Sequence, residues 1–116
     1  MLLKIDTTKR EEVIVELIDK KSGRHDKLIQ TQKIGSQVLL PMVMKILKKN
    51  QVKFDDLTAV EVNPGPGSFT GTRVGVSVAN ALGFALDIPV NGKKGKIVLP
   101  VYEKSLTSNE LIKRTS

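Results

Sequence analysis

Cysteine and tryptophan are absent from this chain of 116 residues, and its aromatic side chains are few, three Phe and one Tyr. Without cysteine there are no disulfides and no thiol catalysis, which fits a reducing compartment. With so few rings, any core must be aliphatic. The single histidine, His25, falls in a predicted turn with neither cysteine nor a carboxylate cluster nearby to complete a metal site, so a solvated side chain and no bound metal are expected. Long apolar runs are lacking too, and the N-terminus carries no signal-peptide pattern; the expectation is a cytoplasmic protein without membrane contact.

What is present suits one small domain. Apolar residues make up 40% of the chain, and nineteen basic residues against twelve acidic ones leave a net charge of +7. Such a charge favours polyanionic partners such as RNA, or serves solubility alone. Leu2, Leu3 and Ile5 predict a first strand, and the run from Val13 to Ile18 predicts a second. Ser22-Gly23, within the turn Lys20 to His25, leads into a third strand near Lys27 to Thr31. Ser36 is a good N-cap for a helix reaching about Asn50, with Pro41 either kinking it or marking its true start. Asp55-Asp56-Leu57 is a turn before a strand from Thr58 to Val62. A second helix ends near Leu86, and Ile88-Pro89-Val90 begins a fifth strand. Three antiparallel strands followed by helix, strand, helix and strand describe an α/β domain. Beyond Asn91 the composition turns to Lys and Gly, Ile97 to Tyr102 could add an edge strand, and Glu103 to Ser116 is polar.

The most unusual stretch is Gly65-Pro66-Gly67-Ser68-Phe69-Thr70-Gly71, set between the fourth strand and the second helix. Glycines and proline at this density force turns that a Cβ would obstruct, and Ser68 and Thr70 bring hydroxyls to a helix start. Backbone amides at such a place can also receive an anion. Together with Arg73-Val74-Gly75, the opening Ile5-Asp6-Thr7-Thr8 and Leu40-Pro41, this loop resembles the TsaB (YeaZ) family over residues 1–92, and the similarity resumes at Leu99-Pro100-Val101-Tyr102. The resemblance implies a ribonuclease-H-like fold of the actin and Hsp70 type (ASKHA), with a mixed five-stranded sheet and two main helices. It also implies an N-terminal domain over residues 1–92, followed by a shortened remainder, 93–116, in place of most of a second domain. The implied role is that of an inactive scaffold paralogue supporting the catalytic subunit TsaD, which threonylcarbamoylates adenosine 37 of ANN-decoding tRNAs, with tRNA met through the complex.

Several candidate sites remain to be weighed. Leu39, Met42, Val43, Ile46 and Leu47 belong to a first helix so apolar that a second buried side is expected, at a partner or in a homodimer when the chain is alone. Gly71, Gly75, Ala79 and Gly83 repeat every four residues on the second helix, so something presses close to that stripe, either the chain's own sheet or a partner helix. The resemblance, in which both helices pair with those of TsaD, favours an interface for at least the first helix, and Gly75, Ala79, Leu82 and Gly83 are the candidates on the second. Asp6 with Gly65, Gly67 and Ser68 could hold nucleotide or phosphate, although the loop lacks the lysine of a P-loop and no second phosphate loop is recognisable. A third reading is a basic RNA-binding module using Arg73 and the Lys93 to Lys96 loop. Ser68 has no base at an activating spacing, so no catalytic residue is assigned and no cofactor is expected.

Overall fold

Alternation in the first strands decides the architecture. In the computed structural model, which describes residues 1–31 and 38–101, β1 (Leu2–Asp6), β2 (Glu12–Asp19) and β3 (Arg24–Thr31) form an antiparallel meander. β4 (Ala59–Val62) joins parallel to β1, giving the order β3-β2-β1-β4. The registers Leu3↔Leu17, Ile5↔Val15, Leu3↔Val60 and Ile5↔Val62 put one buried set on a single face. Period-two alternation has no other way to satisfy all these residues at once.

The opposite face carries charge in a row. Lys27, Glu16, Lys4 and Glu61 are register partners across all four strands, so opposite signs stand side by side, and Lys4 approaches Glu61 at 3.9 Å. Exposed pairs of this kind contribute under about 1 kcal/mol each, and they suit a face open to water. His25 lies on β3 rather than in a turn, because the turn closes earlier at Gly23, whose φ is +74°. Its Nε2 sits 2.7 Å from Glu16 Oε2.

Both helices cover the apolar face. α1 (Leu39–Lys49) turns Leu39, Met42, Val43, Ile46 and Leu47 inward, a single stripe at helical spacing, and leaves Leu40, Met44 and its lysines outside. Pro41 falls in the first turn, where a missing N–H costs nothing. The proposed cap Ser36 lies outside the described residues. At the other end the Asn50 amide donates to Ile46 O at 2.8 Å and to Asp26 Oδ2 at 2.9 Å, tying the helix to β3. The turn expected at Asp55-Asp56-Leu57 is a short 3-10 helix, Phe54–Asp56, leading into β4. α2 (Phe69–Leu86) packs over β4 and β1.

The expected fifth strand is a correction: the described residues hold four. Backbone pairing with β4 lasts for one residue, Val90 beside Val60, with Val60 N donating to Pro89 O and Asn91 N to Val60 O. The Asn91 side chain then takes over as a substitute peptide group, accepting from Val62 N at 2.8 Å and donating to Val62 O at 2.9 Å. Asn91 and Gly92 both have positive φ, 51° and 79°, so the main chain turns away where a strand would have continued. The edge strand expected from Ile97 to Tyr102 is not formed over 97–101 either, and Tyr102 lies outside the described residues. The fully buried Ile46 should lose about 2–5 kcal/mol on replacement by Ala. Urea unfolding of Ile46→Ala beside Leu40→Ala checks this, with Leu40→Ala staying within about 0.5 kcal/mol of the parent.

Candidate functional site

The glycine loop forms a joint between three elements. β1 ends at Asp6, and the next residue, Thr7, is buried against the start of α2, its hydroxyl donating to Gly71 O at 2.5 Å. A Cβ added at Gly71 would collide with Thr7 O, and one added at Gly75 with Thr7 Oγ1. At Gly67 it would come within 2.6 Å of Thr8. The glycines therefore make room for Thr7 and Thr8 of the same chain. Gly75, inside α2, costs the helix about 1 kcal/mol relative to Ala, which the close approach of α2 to β1 offsets.

The polar groups of the loop are committed in the same way. Ser68 N donates to Thr8 O at 2.8 Å, Gly65 N to Asn63 Oδ1 at 3.1 Å, and Gly71 N to the capping Ser68 Oγ at 3.4 Å. Asp6 Oδ1 accepts from Thr8 N at 2.9 Å and from Thr8 Oγ1 at 2.6 Å, while Asn63 Nδ2 reaches Asp6 Oδ2 at 3.2 Å. Partial burial works against charge on Asp6. The Thr8 hydroxyl and amide, Asn63 and the charge of Lys9 outweigh it and hold the carboxyl below the usual Asp range. Asp6, Gly65, Gly67 and Ser68 do come together, as the nucleotide reading requires. Their donors and acceptors, however, are largely taken up by one another, and Ser68 serves as a helix cap.

The nine residues expected at a helical interface are placed on the inner sides of their helices. Leu39, Met42, Val43, Ile46 and Leu47 form the core with the sheet. α1 needs no second cover for them, because Val52, Leu57 and the sheet fill the space around a wide single stripe. Gly75 meets Thr7, Gly83 would meet Val90 and Ile88 O, Ala79 is fully buried, and Leu82 packs half-buried on the core. The neighbour that presses on the small-residue stripe is thus the same chain. The outer side of α2 is also apolar: Phe84 is 91% exposed, Phe69 and Val74 are exposed, and Arg73 lies 5.3 Å above the Phe69 ring. Thr70, Arg73, Val74, Ser77 and Val78 line a shallow depression of about 370 Å³ there. Sequence reasoning passed over this outer face, although a lone charge in the whole of α2 was its signal.

Comparison with known proteins gives these features a context. The family model for TsaD, tRNA N6-adenosine threonylcarbamoyltransferase, matches residues 29–92, more than half of the chain. The chain belongs to the TsaD family, in its TsaB (YeaZ) branch. The tRNA threonylcarbamoyladenosine biosynthesis protein TsaB of Escherichia coli is 39% identical over 57 residues, 49% of this chain and 25% of that protein. TsaB of Bacillus subtilis is 40% identical over 52 residues, 45% and 23% of the two chains. The structure of YeaZ from Pseudomonas aeruginosa superposes with a TM-score of 0.70 at 30% identity, covering 98% of this chain and 50% of that one. A Pseudomonas aeruginosa protein described as similar to the peptidase YeaZ gives the same TM-score at 33% identity, over 88% and 43%. The chain thus spans about a quarter of these curated TsaB relatives and at most half of the solved structures.

Within the TsaB frame, the actin-like fold stands and the sheet has four described strands and two helices. The glycine joint is a packing device, and its substitution has a defined sign. Gly75→Leu would force α2 away from Thr7, and overpacking of this kind costs about 1–3 kcal/mol. A thermal melt should show a clear loss for Gly75→Leu, while Ser77→Leu on the outer side leaves the melting temperature near that of the parent.

Proposed function

We propose that the chain is a non-catalytic subunit that binds a TsaD-like enzyme and supports threonylcarbamoylation of adenosine 37 in ANN-decoding tRNAs in the cytoplasm, with tRNA reached through the complex. The family membership supports the pathway. The observation that carries the subunit role is the outer face of α2, eighteen residues with Arg73 as their one charge and with Phe69, Val74 and Phe84 exposed. A helix apolar on both sides is a helix with another partner to meet. Leu40 and Met44 are likewise exposed on α1. The contact therefore falls to residues facing away from the core rather than to Leu39, Val43 or Gly75.

The nucleotide alternative finds less support, because the amides of Gly65, Ser68 and Gly71 already have acceptors within the chain. The basic alternative rests on Arg73, Lys93, Lys94 and Lys96, exposed residues of which Lys94 pairs with Asp87 at 3.3 Å.

Retention of a tagged TsaD-like protein by this chain is the deciding experiment. Phe84→Asp and Val74→Asp should each weaken retention at least about tenfold, as loss of an interface anchor does, with an unchanged melting temperature. A parent chain that retains nothing, or a Phe84→Asp chain that binds as the parent does, contradicts the proposal. Salt-sensitive tRNA binding by the chain alone would move the assignment to the basic module.

A further inference from the structure

After Lys96 the chain runs back beside α2 in an extended course, and its attachments there are few and specific. The Asn80 side-chain amide donates to Val98 O at 2.9 Å and accepts from Val98 N at 3.0 Å, as a neighbouring strand would. Pro64 O accepts from Val101 N at 2.6 Å. Val101 O fills the space that a Cβ would occupy at Gly65, with Thr72 Cγ2 3.4 Å from the same spot. Val98 packs half-buried on the core, whereas Ile97 and Leu99 are 76% and 72% exposed. A slot thus exists between α2 and the glycine loop. It reads main-chain groups at two residues and takes one β-branched side chain.

From this we infer that the slot is a binding site for an extended apolar peptide segment, filled in this structure by the chain's own residues 97–101, and that the occupant exchanging with them is the same segment of a second copy. Two observations argue for exchange. Among the described residues the segment is held by one side-chain clamp, one backbone hydrogen bond, the Val101 carbonyl against Gly65 and one half-buried valine, a small set for five residues and one at the low end of local stability. The connection before it, Gly92 to Lys96, is exposed and has left-handed glycines at both Gly92 and Gly95, with open space around each. A hinge of that kind lets an element leave one protomer and enter another. Since recognition is through backbone groups and a valine, a second copy presents the same ligand. The own strap competes as a tethered ligand at roughly millimolar effective concentration, so the exchanged dimer needs high protein concentration. This inference stands apart from binding to a TsaD-like enzyme, which concerns the outer face of α2.

Two variants separate slot from strap. Val98→Asp spoils the strap and leaves the slot, while Asn80→Ala spoils the slot and leaves the strap. Each alone should sediment as a monomer at high micromolar concentration, and an equimolar mixture should show a heterodimer. A fluorescent, end-blocked peptide of residues 96–101 should bind the Val98→Asp chain about tenfold more tightly than the parent, whose own strap competes, and binding should vanish in the Asn80→Ala, Val98→Asp double variant. If Val98→Asp does not fold, hydrogen exchange on the parent chain decides: the Val98 and Val101 amides should open much faster than those of Val15 and Leu17. A mixture of folded variants that stays monomeric, peptide binding that ignores Asn80, or strap amides as protected as the sheet would each overturn the inference.

Discussion

Thr7 is the residue on which the rest of this fold turns. It stands just past the end of β1, buried, with its hydroxyl donating to Gly71 O, and α2 can approach only because Gly71 and Gly75 carry nothing that would meet it. That approach fixes the angle at which α2 crosses the sheet. It thereby decides which side of α2 is core, with Val76 and Ala79 buried beneath it, and which side is left outward with Val74 and Phe84. A side chain larger than hydrogen at either glycine would lift the helix, uncover β4 and open the path followed by the return segment. The outward apolar side of α2 is in this sense a by-product of one tight contact on the opposite side of the helix.

The same contact explains why a glycine-rich turn between strand and helix is here a joint and not a cradle. Such turns bind anions when their amides point into open space. Ser68 N and Gly65 N instead meet Thr8 O and Asn63 Oδ1, and Asp6 gives its carboxylate to Thr8 and Asn63. The loop has the glycines of an anion-binding turn without the lysine of a P-loop, and its hydrogen bonds close it on the end of β1.

Much of the architecture could be read from local chemistry. The aliphatic run from Val13 to Ile18, the Ser22-Gly23 turn, Ser68 at a helix start and the stripe of small residues on α2 are all patterns whose cause lies within a few residues, and each led to the right element. What could not be read was non-local. Asn91 and Asn80 look like ordinary loop and helix residues, yet their side-chain amides stand in for strand backbone, the first replacing a fifth strand and the second clamping Val98. Composition likewise showed that α1 is rich in apolar residues, but not that five of them share one stripe wide enough for its own sheet. The residues expected at an interface therefore lie on the inner sides of both helices, and the resemblance to the TsaB family does not bear on this, since a motif does not state which way a side chain points.

The central claim is that the glycine loop is a packing joint whose Gly65, Ser68 and Gly71 amides are taken up within the chain. Amide resonances in an NMR titration of the full chain with magnesium and ATP test it most directly. The structure predicts that Thr8, Gly65, Ser68 and Gly71 keep their shifts to millimolar nucleotide, because each amide already has an acceptor in the chain. Saturable shifts at these four positions, lost in Asp6→Ala, would show the loop to be a nucleotide site and contradict the account.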